Sequence, residues 1–201
     1  MRFFASALIL SLSFVSHPLG AQEPAPLKDS KEQIQPPQAR PRASTLDELF
    51  ERLGKAQTER EAEGISALIE RRFARSGSDT ADLLLNRAAE AYGKKDYPLA
   101  IELIDRVLVL QPNWAEAWYK RATVFYQLDD PVGAIADLHR AITIEPRHFN
   151  AWTGLGHILM ASDDKARALQ AYRRVLTINP QMSDVKTIVN RLGPDVDGQD
   201  L

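Results

Sequence analysis

The sequence predicts an all-α fold: a solenoid of antiparallel helix pairs with three full repeats, a degenerate pair before them and a capping helix after them. Three observations carry that prediction. Pro112, Pro146 and Pro180 recur in steps of 34 residues and close three look-alike segments. Each segment places an alanine twelve residues before its proline (Ala100, Ala134, Ala168). Each also has a large apolar residue 28 before it (Leu84, Trp118, Trp152) and a small one 24 before it (Ala88, Ala122, Gly156). Self-similarity at such a period means stacked supersecondary units, each too small to bury its apolar face alone.

In chain order, the first element is an address label. Arg2 precedes an apolar stretch from Phe3 to Val15, followed by Pro18 and the small pair Gly20-Ala21. A helix of that length falls short of the ~30 Å hydrocarbon core, so the pattern predicts a secretory signal peptide, 1–21, cut after Ala21. With no cysteine in the chain there is no site for a lipid anchor, and the expected location is periplasmic or secreted, without an integral membrane segment after cleavage. Residues 22–44 hold five prolines among Glu, Gln, Lys and Arg, the composition of an extended, disordered linker. Thr45 and Glu48 then stand in capping-box relation, with Leu46, Leu49, Phe50 and Leu53 at helical spacing. A second amphipathic run (Ile65, Leu68, Ile69, Phe73) completes a pair in which Phe50, Leu53 and Gly54 lie 34 residues before Leu84, Arg87 and Ala88. That register predicts a degenerate first repeat or N-terminal cap for a domain spanning 45–192.

The full repeats are expected at 81–114, 115–148 and 149–182, each broken into two helices. The breaks fall near Gly93–Asp96, Asp129–Pro131 and Ser162–Asp164. Loops this short force the helices of a pair antiparallel. Val185, Ile188, Val189 and Leu192 predict a last helix over the open end, stopped by Gly193-Pro194, with 193–201 a disordered acidic tail. Trp118, Ala122, Ala134, Leu138, Ala141 and Pro146, and again Trp152, Leu155, Gly156, Leu159, Ala168, Tyr172 and Pro180, resemble the tetratricopeptide repeat family. The chain departs from the family's Gly-Asp-Tyr turn, showing Lys95-Asp96-Tyr97, Asp129-Asp130-Pro131 and Asp163-Asp164-Lys165.

The resemblance implies a superhelix whose concave groove is lined by the first helix of each pair. The same periodicity gathers Asn86, Tyr92, Tyr119, Lys120, Thr123, Tyr126, His157 and Met160 as the candidate partner-binding groove, with Asp82, Leu85, Glu116 and Asn150 on the same face. Rigid aromatics mixed with a cation, amides and hydroxyls suit a protein or peptide partner. Chaperone-binding members clamp a terminal carboxylate with Lys and Asn. The matching positions here are Leu85, Ala89, Lys120, Asn150 and Gly154, so that clamp is expected to be absent.

No cofactor, metal or catalytic residue is expected. The formal charge is −2 without a basic cluster, which argues against nucleic acid. His148 and His157 fall too far apart along a helix to share an ion, so His139, His148 and His157 are expected in solvent or groove. No Gly-rich phosphate loop or metalloprotease motif occurs, so the reading is a non-enzymatic, exported protein-interaction scaffold of the bacterial envelope. Its rivals are self-association into a structural assembly and service as an accessory subunit of a cell-wall enzyme.

Overall fold

In a computed structural model, residues 44–198 are described. The expected leader, most of the linker and the last three residues lie outside them. Among the described residues there are nine helices and no strand: α1 (Leu46–Lys55), α2 (Glu59–Phe73), α3 (Asp79–Gly93), α4 (Tyr97–Leu110), α5 (Ala115–Gln127), α6 (Pro131–Ile144), α7 (Phe149–Ala161), α8 (Lys165–Ile178) and α9 (Ser183–Asp197).

The 34-residue period is written into the turns. Asp96, Asp130 and Asp164 cap α4, α6 and α8, each accepting a hydrogen bond from the backbone N–H three residues on. The residue before each cap is left-handed: Lys95 at φ 62°, Asp129 at φ 58° and Asp163 at φ 59°. The turn geometry is therefore uniform although no glycine supplies it. Between repeats, the indole N–H of Trp118 donates to the Pro112 carbonyl at 2.9 Å, and that of Trp152 to the Pro146 carbonyl at 3.0 Å. The two tryptophans thus tie down the prolines that end the preceding repeats.

Packing follows the small residues. Ala100, Ala134 and Ala168 are fully buried, and Ala88, Ala122 and Gly156 nearly so. A Cβ on Gly156 would come within 2.6 Å of the Tyr172 ring, so a side chain there has no room between α7 and α8. Arg121 of α5 staples two repeats: Nε and Nη2 bind Asp137 of α6 at 2.7 and 2.8 Å, while Nη1 reaches Asp105 of α4 at 2.6 Å.

Two expectations change. The last helix does not stop at Gly193-Pro194 but runs to Asp197, so 193–197 is not a disordered tail. Proline removes one N–H near the end of the helix, a loss limited to one bond. The Arg173 guanidinium grips the Asp197 carboxylate, and Val196 packs half-buried on the core.

The second change concerns α1 and α2. The predicted capping box is made, with Thr45 Oγ1 accepting from the Glu48 N–H at 3.2 Å and Glu48 accepting from the Thr45 N–H at 2.9 Å. The pair, however, does not stack on α3 as α4 stacks on α5. Instead α1 packs on α8, and α2 runs along the loops that join the repeats. Ser66 meets Asn179 at 3.2 Å, Glu70 meets Asn150 at 2.9 Å, and the Phe73 carbonyl accepts from the Trp114 indole at 2.7 Å. Gln181 reaches the Ala56 carbonyl, and Arg147 bridges to Asp47 while lying over the Phe50 ring. Leu49, Phe50, Leu53, Ile65, Ile69 and Phe73 share one apolar core with α6 to α9.

Candidate functional site

Because α2 lies along the repeat-joining loops, it walls the concave face. A cleft of about 890 Å³ opens between α2 (Ala67, Glu70, Arg71) with its C-cap Ala74 and α3 and α5, and a smaller one of about 290 Å³ continues it between α5 and α7. Tyr92, Tyr119, Thr123 and Asn150 line both, so the two form one continuous groove.

The structure brings most of the predicted residues together. Asn86, Tyr92, Tyr119, Lys120 and Thr123 line the larger cleft; Tyr126 and His157 line the smaller, Tyr126 being 46% exposed. His157 leans its ring edge toward Tyr172, 5.7 Å between centroids. Met160 is not part of the groove: it turns in, half-buried, against the core. Thr123 spends its hydroxyl on the Lys120 carbonyl at 2.7 Å, leaving the groove mainly its methyl group.

Other residues placed on this face are structural. Leu85 is 7% exposed, and Asp82 is buried holding the Ser76 N–H and hydroxyl at 2.8 and 2.6 Å, which fixes the α2–α3 loop. Glu116 is buried at the first turn of α5. Lys120 donates to Glu116 at 3.1 Å and Asn150 to Glu70 at 2.9 Å, so the two polar clamp positions already serve carboxylates of this chain. Tyr119 is mostly packing, set against His148 with centroids 5.0 Å apart. Burial, with the Glu116 carboxylate nearby, pushes its phenol up to about 12.

His148 is neither in solvent nor in the groove. It is fully buried, its Nδ1 accepting from the Ala151 N–H at 3.2 Å as the cap of α7. That bond places the ring proton on Nε2, which donates to Glu116 at 3.1 Å. Its face stacks on Phe73 of α2, centroids 4.6 Å apart and planes within 13°. One ring therefore joins α2, α5 and α7 beneath the groove floor. Burial disfavours the Glu116 charge most strongly, but the hydrogen bond from His148 and the neighbouring Lys120 outweigh it and hold the carboxyl below its ordinary value.

Sequence reasoning missed the whole contribution of α2 and its cap: Ala67, Glu70, Arg71 and Ala74. The signal was present. In register with the second helices of the repeats, Glu70 falls where Ile104, Leu138 and Tyr172 are buried, a position a carboxylate cannot fill unpaired.

The tetratricopeptide repeat family model matches twice, over residues 87–153 and 125–192. A TPR repeat-containing protein of Rhizobium etli is 31% identical over 129 residues, covering 62% of this chain. The chain spans 61% of the length of that relative. Among solved structures, the first TPR of Spaghetti (RPAP3) bound to the HSP90 peptide SRMEEVD aligns with TM-score 0.56 at 18% identity, covering 60% of this chain and 95% of that one. The Sgt2 TPR domain of Aspergillus fumigatus aligns at 0.55 and 21%, covering 61% and 83%. The TPR2B domain of yeast Sti1 in its Hsp70 complex aligns at 0.53 and 21%, covering 59% and 99%. With nine helices in the described residues, uniform Asp-capped turns and two overlapping matches over 87–192, the chain belongs to the tetratricopeptide repeat family.

Proposed function

We propose that this chain is an exported protein-interaction scaffold that captures an extended segment of a partner in the groove between α2 and the first helices of its repeats. The observation that carries this reading is the continuous cleft itself. It has a floor of small residues (Ala88 and Ala89 facing Ala67 and Ala74) and a rim of Asn86, Tyr92, Tyr126 and His157. Small floor residues admit a backbone or an apolar side chain closely, while tyrosine, amide and imidazole groups at the rim supply adaptable hydrogen bonds. The aligned RPAP3 domain is bound to an HSP90 peptide and the Sti1 domain is in an Hsp70 complex, which supports capture of a segment on this fold. The engagement of Lys120 and Asn150 by Glu116 and Glu70 argues for a ligand other than a clamped terminal carboxylate. The role is binding rather than catalysis. Cleavage after Ala21 would place it in the periplasm or outside the cell, with envelope assembly or maintenance as its setting.

The test is selection of a displayed random-peptide library against the purified chain, repeated against the double variant Tyr126→Ala/His157→Ala. Both side chains are exposed, so the variant should melt within a few degrees of the parent. Peptides enriched on the parent and lost on the variant support the groove. Peptides that bind both equally contradict it. N-terminal sequencing of the exported protein checks the leader: a mature chain beginning at Gln22 is the expected result.

A further inference from the structure

In the second and third repeats, the stripe of the first helix that faces the preceding repeat is apolar and covered. Ala117 and Val124 of α5, and Ala151 and Ile158 of α7, are at most 4% exposed. Ala117 and Val124 belong to the core formed with α3 and α4, and Ala151 and Ile158 to the core formed with α6. The equivalent residues of α3 are Leu83 and Glu90, and both are exposed, Leu83 at 52%. The α1–α2 pair leaves this stripe open because α2 lies along the groove instead.

Helix α4 extends the open face. Its Leu103 corresponds to Asp137, which in the second repeat is reached by the same Arg121 that binds Asp105 of the preceding repeat. Leu103 therefore points to the side where a preceding repeat would sit. Leu99, at 41% exposure, and Leu110, at 49%, stand on the same side one and two turns away. The opposite end of the stack is closed by α9, through the buried Val185 and Leu192.

We propose that this open first-repeat face pairs two copies of the chain about a two-fold axis. Among the described residues one end of the stack is open, which favours an isologous, closed pair, whereas two open ends would feed a head-to-tail chain. The charge pattern is self-complementary. Arg87 and Glu90 are exposed on the same stripe of α3, and neither joins an ion pair among the described residues. A two-fold crossing α3 between them sets Arg87 of one copy against Glu90 of the other, and the reverse. On α4, Leu99 and Leu103 stand nearly as far past the Lys95 turn as Glu90 and Arg87 stand before it. The same axis therefore brings Leu99 onto the second copy's Leu103, joining an apolar contact to the reciprocal ion pairs. This surface lies outside the groove, so pairing leaves the groove open.

Sedimentation equilibrium of the full chain, from about 1 µM to a few hundred µM, tests this. A monomer–dimer equilibrium is expected. Arg87→Glu or Glu90→Arg alone should weaken it about tenfold by setting like charges opposite one another, and the double exchange should restore it. Leu99→Glu, at an exposed position of the same face, should abolish it, with a nearly unchanged melting curve showing that the fold is intact. A monomer at every concentration, assemblies that keep growing, a dimer indifferent to these changes, or a double exchange that fails to restore pairing would each overturn the proposal.

Discussion

The hairpin α1–α2 and the hairpin α3–α4 share a 34-residue register, yet only the second is built as a repeat. Phe50 and Gly54 match Leu84 and Ala88 in spacing. In the structure Ala88 is 1% exposed, while Gly54 is exposed with nothing within 4 Å of where a Cβ would stand. The second helices explain the difference. Where α4, α6 and α8 bury Val107, Ala141 and Val175, α2 carries Phe73; where they bury Ile104, Leu138 and Tyr172, it carries Glu70. A ring where those helices bury a valine or alanine, and a carboxylate where they bury an apolar side chain, disfavour the same stacking. The hairpin finds its apolar partner along α8 and the repeat-joining loops, and in doing so turns an open concave face into a walled cleft. Register in one helix does not make a repeat; the buried positions of its partner decide.

The comparison can be broken most severely at His148, the ring that bolts α2 to two repeats. His148→Ala removes the α7 cap, the stack on Phe73 and the partner of buried Glu116 together, and should cost about 3 kcal/mol or more in urea denaturation. Hydrogen exchange should rise first in α2. A loss below about 1 kcal/mol would mean that α2 is held by something else.

Gly156→Ala should cost about 1–3 kcal/mol, because the added methyl meets the buried Tyr172 ring. Acid supplies the next effect. The Glu116 carboxyl is held below its ordinary 4.5, so the stability it contributes is complete above that value and is lost as pH falls through and below it. Glu116→Gln should flatten that acid limb of the stability curve. An unchanged limb would show that other carboxylates, such as Asp82, set it.

The smallest effects run the other way. Gly54→Ala, the register equivalent of Gly156 but exposed in the last turn of α1, should stabilise by about half a kcal/mol. Lys95→Gly, which relieves a left-handed lysine, should gain about 1 kcal/mol. Opposite signs at Gly54 and Gly156 sharpen the contrast between the two kinds of hairpin; equal signs would erase it.

Much of the fold was legible because a repeat states its rules three times. The prolines, the alanines at 100, 134 and 168, and the Asp-containing turns all fell where spacing put them. What was not legible depends on contacts between residues distant in sequence. His148 looks polar, and only the meeting of Phe73, Glu116 and the Ala151 N–H makes its burial favourable. Seven of the eight groove residues line the clefts because helix period fixes their direction. Met160 does not, since near the end of α7 the core extends far enough to take it. Glu70 and Arg71 were out of reach because nothing local says which face of the stack a divergent hairpin will cover.

The placement of α2 beside the groove is the central claim, and one crosslink tests it directly. The chain has no cysteine, so Ser66→Cys with Asn179→Cys introduces a single thiol pair where the native side chains meet at 3.2 Å. That contact runs from the Ser66 hydroxyl to the far end of the Asn179 side chain, so a short flexible bis-maleimide, rather than a direct disulfide with its narrow Cβ–Cβ range, bridges the pair. Rapid, near-complete intramolecular bridging by the bis-maleimide is the predicted result. Thiols that each react with the maleimide but are not bridged, in a protein that still melts cooperatively, would place α2 elsewhere and leave the groove without its wall.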